Sequence, residues 1–289
     1  MANTRDIRRR IKSVKNTAQI TKAMQMVAAS KMRRAQQAAT AGVPYSDSLN
    51  KVLVSLRDHV DASAHPLLEV RQVKRTLVLV VSTDKGLCGA LNTNLLREVY
   101  PLIKETTDFI ATGKKAVQYL VRNKRNLVAD FPLSDMPTAK EAKQISKLCI
   151  EKFLSGEVDE VHVLYTKFIN TLNLKPTLTR LLPISSVEAS GRAEDVSEQA
   201  VQRAETMLFE PNAHEVLNTI LPFYVHFQIY QMILNARAAE HSARMVAMKS
   251  ATDNAQQLIK DLTLEYNKLR QAAITNELLE ITTAQMALE

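Results

Sequence analysis

Residues 223–289 read FYVHFQIYQMILNARAAEHSARMVAMKSATDNAQQLIKDLTLEYNKLRQAAITNELLEITTAQMALE, and this stretch contains neither glycine nor proline. Residues 1–41 lack both as well, because every glycine lies between Gly42 and Gly191 and every proline between Pro44 and Pro222. Helices of these lengths would extend roughly 60 Å and 100 Å, whereas a helix in a globular protein averages about 11–12 residues. The sequence therefore predicts two long terminal helices with a compact domain inserted between them.

Both ends carry an apolar stripe at alternating steps of three and four residues, the spacing of a coiled-coil seam. In the first segment we expect the register to slip near Ile20, after which the apolar face continues. Two seams of matching period at opposite ends of one chain predict an antiparallel coiled coil. The predicted seam residues are Ile7, Ile11, Val14 and Ala18, then Met24, Val27, Ala28, Met32 and Ala35, and in the last segment Ile259, Leu262, Tyr266, Leu269 and Ala273.

The C-terminal stretch is longer than its possible partner by more than twenty residues. Its last part, residues 274–288, is rich in apolar side chains and contains no basic residue. A helix without packing partners does not persist in water. We therefore expect this tip to lie inside another protein, with a frayed terminus as the alternative.

The middle of the chain alternates between predicted strands and helices, which favours an α/β layer with a largely parallel sheet. The last of these helices opens with Thr138 and Glu141, the pattern of a capping box. The expected strands are 75–83, 108–113, 127–131, 160–168 and 174–184, the expected helices are 95–103, 114–124 and 138–154, and a mobile loop is expected at 185–197.

These patterns together predict the fold class and the domains. The fold is α/β, with a Rossmann-like α/β domain inserted into a long antiparallel coiled coil of the N- and C-terminal helices. The predicted boundaries are 1–60 for the first helix, 70–209 for the α/β domain and 212–289 for the last helix.

The net charge of +8 is concentrated at the N-terminus, where residues 1–34 hold ten Lys or Arg and the single acidic residue Asp6. This helix requires an acidic partner, which composition alone leaves open as protein, nucleic acid or lipid headgroup. An Arg-rich, acid-poor N-terminus is also typical of an organelle transit peptide. Here, however, no cleavage-like break separates the basic residues from the long helix.

Composition excludes several other classes of protein. There is no run of about 18 apolar residues that would span a bilayer. Cys88 and Cys149 are too far apart in sequence for a metal motif, and so few cysteines fit a reducing compartment. The chain has no tryptophan and few other aromatic residues, which argues against a stacking surface for nucleic acid.

The only candidate for a ligand site is STDKGLCGALNTN (residues 82–94), a strand-to-helix turn of the kind that binds phosphate. Gly86 and Gly89 match neither G-x-G-x-x-G nor the P-loop pattern, and Lys85 precedes them. We interpret the glycines as a tight turn and Cys88 as a buried structural thiol. None of the six histidines forms a metal-like pair. The sequence therefore predicts no catalytic residue, no cofactor and no metal.

Three motifs resemble the gamma subunit of F-type ATP synthases. They are RRIKSVKNTAQITKAMQMVAASKMRRAQ (9–36), STDKGLCGALNTNLLR (82–97) and ARMVAMKSATDNAQQLIKDLTLEYNKLRQAAIT (243–275). Their order is that of the family, and they span both helical ends and the α/β domain. The family's C-terminal Gly-Ala pair is replaced here by Ala284 and Gln285.

The resemblance implies a non-catalytic rotor. In this family the terminal helices form a shaft inside a ring of three alpha and three beta subunits, and the α/β domain contacts the epsilon subunit and the c-ring. One copy per complex is implied, without nucleic acid, peripheral to the cytoplasmic face of the plasma membrane. Chloroplast members have an inserted dithiol segment that the spacing of Cys88 and Cys149 does not match, so no thiol switch of that kind is expected.

Residues expected to contact the alpha–beta ring fall into three groups. A basic stripe would meet acidic segments of the ring, two methionines would offer adaptable surface, and the tip would lie in an apolar bearing. They are Arg8, Arg9, Lys12, Lys15, Lys22, Arg33 and Arg34; Met24 and Met26; and Ile274, Glu277, Glu280, Ile281 and Met286.

Two other classes of function remain open on the residues alone. A coiled-coil scaffold or a nucleic-acid-binding protein would explain the long helices and the basic stripe. An α/β enzyme with helical extensions would need a ligand site. Tight nucleotide binding by the isolated chain would favour the enzyme.

Overall fold

A computed structural model of the chain describes residues 4–59, 65–184 and 212–286. The loop expected at 185–197 lies outside these residues. The helices are α1 (Thr4–His59), α2 (Leu91–Val99), α3 (Lys114–Arg122), α4 (Ala139–Leu154) and α5 (Ala213–Met286), and the strands are β1 (Thr76–Val81), β2 (Thr107–Thr112), β3 (Leu127–Phe131), β4 (Glu160–Phe168) and β5 (Leu174–Leu182).

The five strands form one sheet in the order β3-β2-β1-β4-β5. Strands β1 to β4 are parallel and β5 is antiparallel to β4. The predicted α/β class and the five predicted strands are confirmed, with ends that differ by two residues at most. The first predicted helix is displaced: α2 begins at Leu91 because Leu91, Leu95 and Val99 form its buried face.

Alternate residues of β1 enter two separate hydrophobic clusters, because successive side chains of a strand point to opposite faces. Leu77 and Leu79 belong to a cluster that includes Phe153 of α4 and Ile229 of α5. The intervening Val78 joins a cluster with α2 and α3. Helices therefore cover both faces of the sheet. The capping box of α4 is confirmed: Thr138 and Glu141 bond each other's backbone N–H groups.

The chain divides into two compact units. Residues 30–243 form the larger unit, which contains the sheet. Residues 1–29 and 244–289 form the smaller one, built from the first part of α1 and the last part of α5. Both long helices are thus shared between units. Within the described ranges, no helix is long and apolar enough to cross a membrane.

In the larger unit both long helices continue through residues that usually break helices. Helix α1 includes Gly42 and Pro44, and α5 includes Pro222. At Gly42 an added Cβ would collide with the side chain of Gln231 on α5. This glycine therefore permits close approach of two helices and does not end one.

Candidate interaction site: the two-helix unit

The seam of the smaller unit keeps one register along both helices. Its buried and half-buried positions on α1 include Thr21 and Gln25, so steps of four and three residues continue without interruption. The predicted register slip near Ile20 is wrong, because Ile20 is 60% exposed and Thr21 is buried. The seam positions are Ile7, Ile11, Val14, Ala18, Thr21, Gln25 and Ala28 on α1, and Met248, Thr252, Ala255, Ile259, Leu262, Tyr266 and Leu269 on α5.

Three residues predicted for the seam lie elsewhere. Val27 is 55% exposed, and neither Val27 nor the half-buried Met24 falls on the steps of four and three residues that run through Thr21, Gln25 and Ala28. Ala273 is exposed, because Leu269 is the last seam residue of α5. Helix α1 begins at Thr4 and offers no described residue opposite Ala273.

A buried pair of hydroxyl groups crosses this seam. The Oγ1 atoms of Thr21 and Thr252 are 2.7 Å apart. Thr252 also reaches the carbonyl of Met248 at 2.8 Å, and Thr21 the carbonyl of Ala18 at 3.1 Å. A buried polar pair at one seam position is matched in only one register, as with a buried Asn in a coiled coil. The sequence feature that indicates Thr21 as a seam residue is its spacing, three residues after Ala18.

Either Thr21→Val or Thr252→Val is expected to lower the free energy of unfolding by about 1 kcal/mol, the net value of one buried hydrogen bond. The double variant is expected to lose less than the sum of the two single losses, because the second substitution removes no further pairing. Urea denaturation of the four proteins measures the coupling. Thr17→Val is the control, since Thr17 is exposed and bonds only the carbonyl of Ser13. Additive losses would contradict a pairing role.

The first helix of this unit presents a basic surface. Arg8, Arg9, Lys12, Lys15 and Lys22 are all exposed. Arg9 pairs with Asp6, and among the described residues no ion pair neutralises the other four. Met26 is also exposed, at 61%. The predicted basic stripe is therefore accessible to an acidic partner.

The two arginines predicted to extend this stripe, Arg33 and Arg34, are also exposed, on the part of α1 that belongs to the larger unit. Two residues before Arg33, Lys31 forms an ion pair with Asp135, which follows β3, at 2.6 Å. The Lys31 ammonium, through its hydrogen bond, holds the pKa of the Asp135 carboxyl below its usual value.

The tip of α5 has no packing partner among the described residues. Every side chain from Arg270 to Gln285 is exposed. Apolar exposure reaches 62% at Ile281, and Glu277 and Glu280 lie on the same exposed helix. Met286 ends the helix, and its side chain lies outside the described part. The large apolar side chains of the tip are Ile274, Leu278, Leu279 and Ile281. An apolar helix of this kind marks a protein interaction site.

The fold of the larger unit favours one place for a ligand. Parallel α/β sheets bind ligands beyond the carboxyl ends of the strands where strand order reverses, which here is between β1 and β4. Ala236, Arg237 and Glu240 of α5 line a cavity there together with residues of β1, α2 and β4. This cavity is about 10 Å³, the space of one water molecule. Side chains of α5 thus lie at the edge of the sheet where a ligand of such a fold would bind.

The turn after β1 shows how the glycines act. Leu87 and Gly89 have φ of 62° and 58°, so the backbone turns tightly before α2. Cys88 is buried at 2% exposure and accepts a hydrogen bond from Asn92 Nδ2 at 3.2 Å. In the ranges that the structure describes, no three His, Cys, Asp or Glu side chains are placed to hold a metal ion.

Neither thiol is expected to react with Ellman's reagent in the native protein at pH 8. Both are buried, and burial raises the pKa of Cys149 to about 12, so the reactive thiolate is suppressed. Two thiols per chain should titrate after denaturation in guanidinium chloride. Rapid titration of the native protein, or an ATPase activity that dithiothreitol changes reversibly, would contradict this.

Comparison with known proteins agrees with this architecture. Residues 3–288 match a family described as ATP synthase. The ATP synthase gamma chain of Methylacidiphilum infernorum is 51% identical over 293 residues, covering 100% of both chains. That of Opitutus terrae is 48% identical, covering 99% of each.

Solved structures share the fold. A chain of the Euglena gracilis mitochondrial ATP synthase aligns with a TM-score of 0.68 and 20% identity, over 99% of this chain and 94% of that one. A chain from the central stalk and c-ring of the Tetrahymena thermophila enzyme aligns with a TM-score of 0.63 and 24% identity, over 80% and 99%. The chain thus has the fold of chains found in these two ATP synthase structures. Because it matches ATP synthase gamma chains over their full length, the chain belongs to the ATP synthase gamma chain family.

Proposed function

We propose that this chain is the central-stalk rotor of an F-type ATP synthase. It turns inside a ring of three alpha and three beta subunits and couples proton flow through the c-ring to ATP synthesis or hydrolysis on the beta subunits. The observation that carries this proposal is the tip of α5, an exposed helix with apolar side chains beyond the last seam residue Leu269. Such a helix requires an enclosing partner.

The chain itself acts without bond chemistry in this proposal. At the edge of the sheet where an α/β domain would bind a substrate, side chains of α5 line a cavity with space for one water molecule. Catalysis therefore belongs to the beta subunits. A scaffold or nucleic-acid binder would leave both the family relationship and the exposed apolar tip unexplained.

The proposed contacts with the ring divide by chemistry. The tip residues Ile274 and Ile281 lie in an apolar bearing, where non-directional contact permits slip during rotation. Glu277, Glu280 and Met286 belong to the same contact. The basic stripe and the two methionines contact the ring from α1. Exposed ion pairs contribute about 0–1 kcal/mol each, so they can break and re-form in every turn. These residues are Arg8, Arg9, Lys12, Lys15, Lys22, Met24, Met26, Arg33 and Arg34.

The α/β domain is proposed to contact the epsilon subunit and the c-ring. One copy of the chain serves each complex, peripheral to the cytoplasmic face of the plasma membrane. The bacterial relatives, similar over their full length, support this location.

Native mass spectrometry of the complex released from host membranes by low-salt EDTA tests the proposal. We expect one copy of this chain with three alpha and three beta subunits. Recovery as a homo-oligomer or with nucleic acid would overturn it. Saturable, tight nucleotide binding by the isolated chain would favour an enzyme instead.

The double variant Arg33→Gln, Arg34→Gln tests the basic stripe in the complex. We expect a change of about two- to tenfold in rotation rate or in coupling efficiency, because two exposed ion pairs contribute only about 0–1 kcal/mol each. Single-molecule rotation and ATP-driven proton pumping are the measurements. The control, Lys140→Gln with Lys147→Gln, removes the same charge from the exposed side of α4. If rotation and coupling were unchanged by the arginine substitutions, the assignment would be wrong.

A further inference from the structure

The way α5 is held changes along its length in the larger unit. From Leu217 to Ile233, α5 contributes large apolar side chains to the main hydrophobic cluster. Between Leu234 and the end of the unit at residue 243, its buried apolar residues are only the alanines Ala238 and Ala239. Contacts between small side chains hold little area and have no preferred direction. Polar contacts take over in this last segment before residue 243, where the unit ends.

Arg237 is the centre of these polar contacts. Its side chain is 7% exposed, as is that of Glu240. Nη1 donates to Glu240 Oε2 at 2.7 Å, and Nη2 donates to the carbonyl oxygen of Leu133 at 3.1 Å. Asp84 Oδ2 lies 3.8 Å from Nη2. One planar guanidinium group thus reaches its own helix, the turn after β3 and the turn after β1.

The same segment has further ties to the carboxyl edge of the sheet. Ser242 is fully buried and donates to the carbonyl oxygen of Thr171, in the hairpin between β4 and β5, at 3.2 Å. Asp84 also accepts from the backbone N–H of Lys114 at 3.1 Å, at the start of α3. Side chains at 237 and 242 therefore meet three separate turns, after β1, β3 and β4.

The polar contacts to three turns are directional, so they restrict rotation of α5 about its own axis. Apolar contacts resist the turning of a helix about its axis through the apolar area and the close packing that the turn disturbs, and the alanines between Leu234 and residue 243 provide little of either. A guanidinium group with fixed donor directions holds its acceptors in one orientation. We propose that Arg237, supported by Glu240, is the positioning residue that fixes the rotational setting of α5 against the sheet, and is the joint at which the α/β domain turns α5.

This inference rests on the proposed rotor function, since only a part that transmits torque needs such a joint. The competing interpretation is that Arg237 contributes stability alone. Removing one member of a buried charge pair leaves the other unpaired and destabilises the fold, so a single substitution does not separate the two interpretations.

Two variants separate them. Arg237→Met combined with Glu240→Leu removes both charges and fills the space with apolar side chains of similar volume. Replacing a buried ion pair in this way often leaves the stability of the protein unchanged or raises it. It also removes the donors to Leu133 and Asp84. Arg237→Lys retains the charge but loses the fork of donors. The control is Lys147→Met with Glu151→Leu, an exposed pair on α4 with 73% and 59% exposed side chains.

The measurement is the angular fluctuation of a bead on the α/β domain, with the complex held by its beta subunits and the catalytic sites stalled. The substitution Glu105→Cys, at an exposed position, provides the thiol that attaches the bead, since both native thiols are buried. We expect the double apolar variant to assemble, to keep its Tm within a few degrees of the wild type, and to show an angular variance larger by about twofold or more, because the small side chains left in this segment resist rotation less than directional polar contacts do. Arg237→Lys should be intermediate.

Each other outcome has a defined meaning. Unchanged variance in an assembled double variant of normal Tm would overturn the joint while leaving the rotor function intact. Unchanged variance per assembled complex together with a lowered Tm would establish stability as the only role of Arg237 and overturn the joint as well. If the wild-type chain did not assemble with alpha and beta subunits, the rotor function would fail and the joint with it.

Discussion

Replacing Gly113 with alanine is expected to lower the free energy of unfolding by about 3 kcal/mol or more, the combined effect of a strained backbone and a steric collision. Gly113 lies between β2 and α3 with φ of 88°. A Cβ atom there would lie 2.7 Å from the carbonyl carbon of Ser82, and closer still to its oxygen. These are backbone atoms of the residue after β1, so they cannot move without displacing the strand.

The neighbouring hydrogen bonds add to this effect. Ser82 Oγ donates to the carbonyl of Thr112 at 3.0 Å and accepts from the N–H of Ala116 at 2.9 Å. A shift of Ser82 would disturb the start of α3 and the end of β2 together. We therefore expect the loss to appear both as a lower midpoint of urea denaturation and as faster amide exchange at Ala116.

Two other glycines provide matched controls. Gly156 has φ of 74° but no atom within 4 Å of an added Cβ, so Gly156→Ala should cost about 1 kcal/mol from backbone strain alone. Gly86 has open space and no left-handed φ, so Gly86→Ala should be neutral or slightly stabilising, by up to about 1 kcal/mol. Equal losses at Gly113 and Gly156 would show that the contact with Ser82 is not responsible.

Replacing Phe153 with alanine is expected to cost about 3–5 kcal/mol, the range for deleting a fully buried aromatic ring. Phe153 closes the last turn of α4, is 0% exposed and belongs to the main hydrophobic cluster. The guanidinium carbon of Arg71 lies 5.1 Å from the centre of its ring, so a cation–π contact is lost as well. The hydrogen bond from Arg71 to the Phe153 carbonyl involves the backbone and is retained.

The adjacent residue is the control for this substitution. Leu154 is 48% exposed on the same turn, so Leu154→Ala should change stability by less than about 1 kcal/mol. Both variants are measured by urea denaturation followed by circular dichroism. A loss at Phe153 no greater than that at Leu154 would mean that the cluster refills the space of the missing ring.

Local patterns were sufficient to predict most of the elements. Strand β1 was found from a run of Val and Leu, and the cap of α4 from Thr138 and Glu141, because such signals depend on residues a few positions apart. The seam on α5 from Ile259 to Leu269 was predicted from spacing for the same reason. The exposed tip of α5 and the basic stripe of α1 were also predicted, each from the composition of its own helix.

Patterns at short range failed where a partner distant in sequence decides the role of a residue. A register slip was predicted near Ile20, whereas the seam continues through Thr21, whose hydroxyl pairs with that of Thr252, 231 positions away in the chain. The predicted first helix includes Gly42, but the packing reason for a glycine there is also distant in sequence, because Gln231 occupies the space that a side chain at residue 42 would take.

The sequence by itself determined that an α/β domain is inserted between two long amphipathic helices, since periodicity and the placement of glycine and proline are local properties. It also determined membership of the gamma chain family, which three long motifs indicated. Only the tertiary structure decided that α5 lies at the carboxyl edge of the sheet and that Arg237 is buried there. An arginine among alanines is normally exposed, and its burial depends on acceptors at Leu133 and Asp84, more than a hundred residues earlier in the chain.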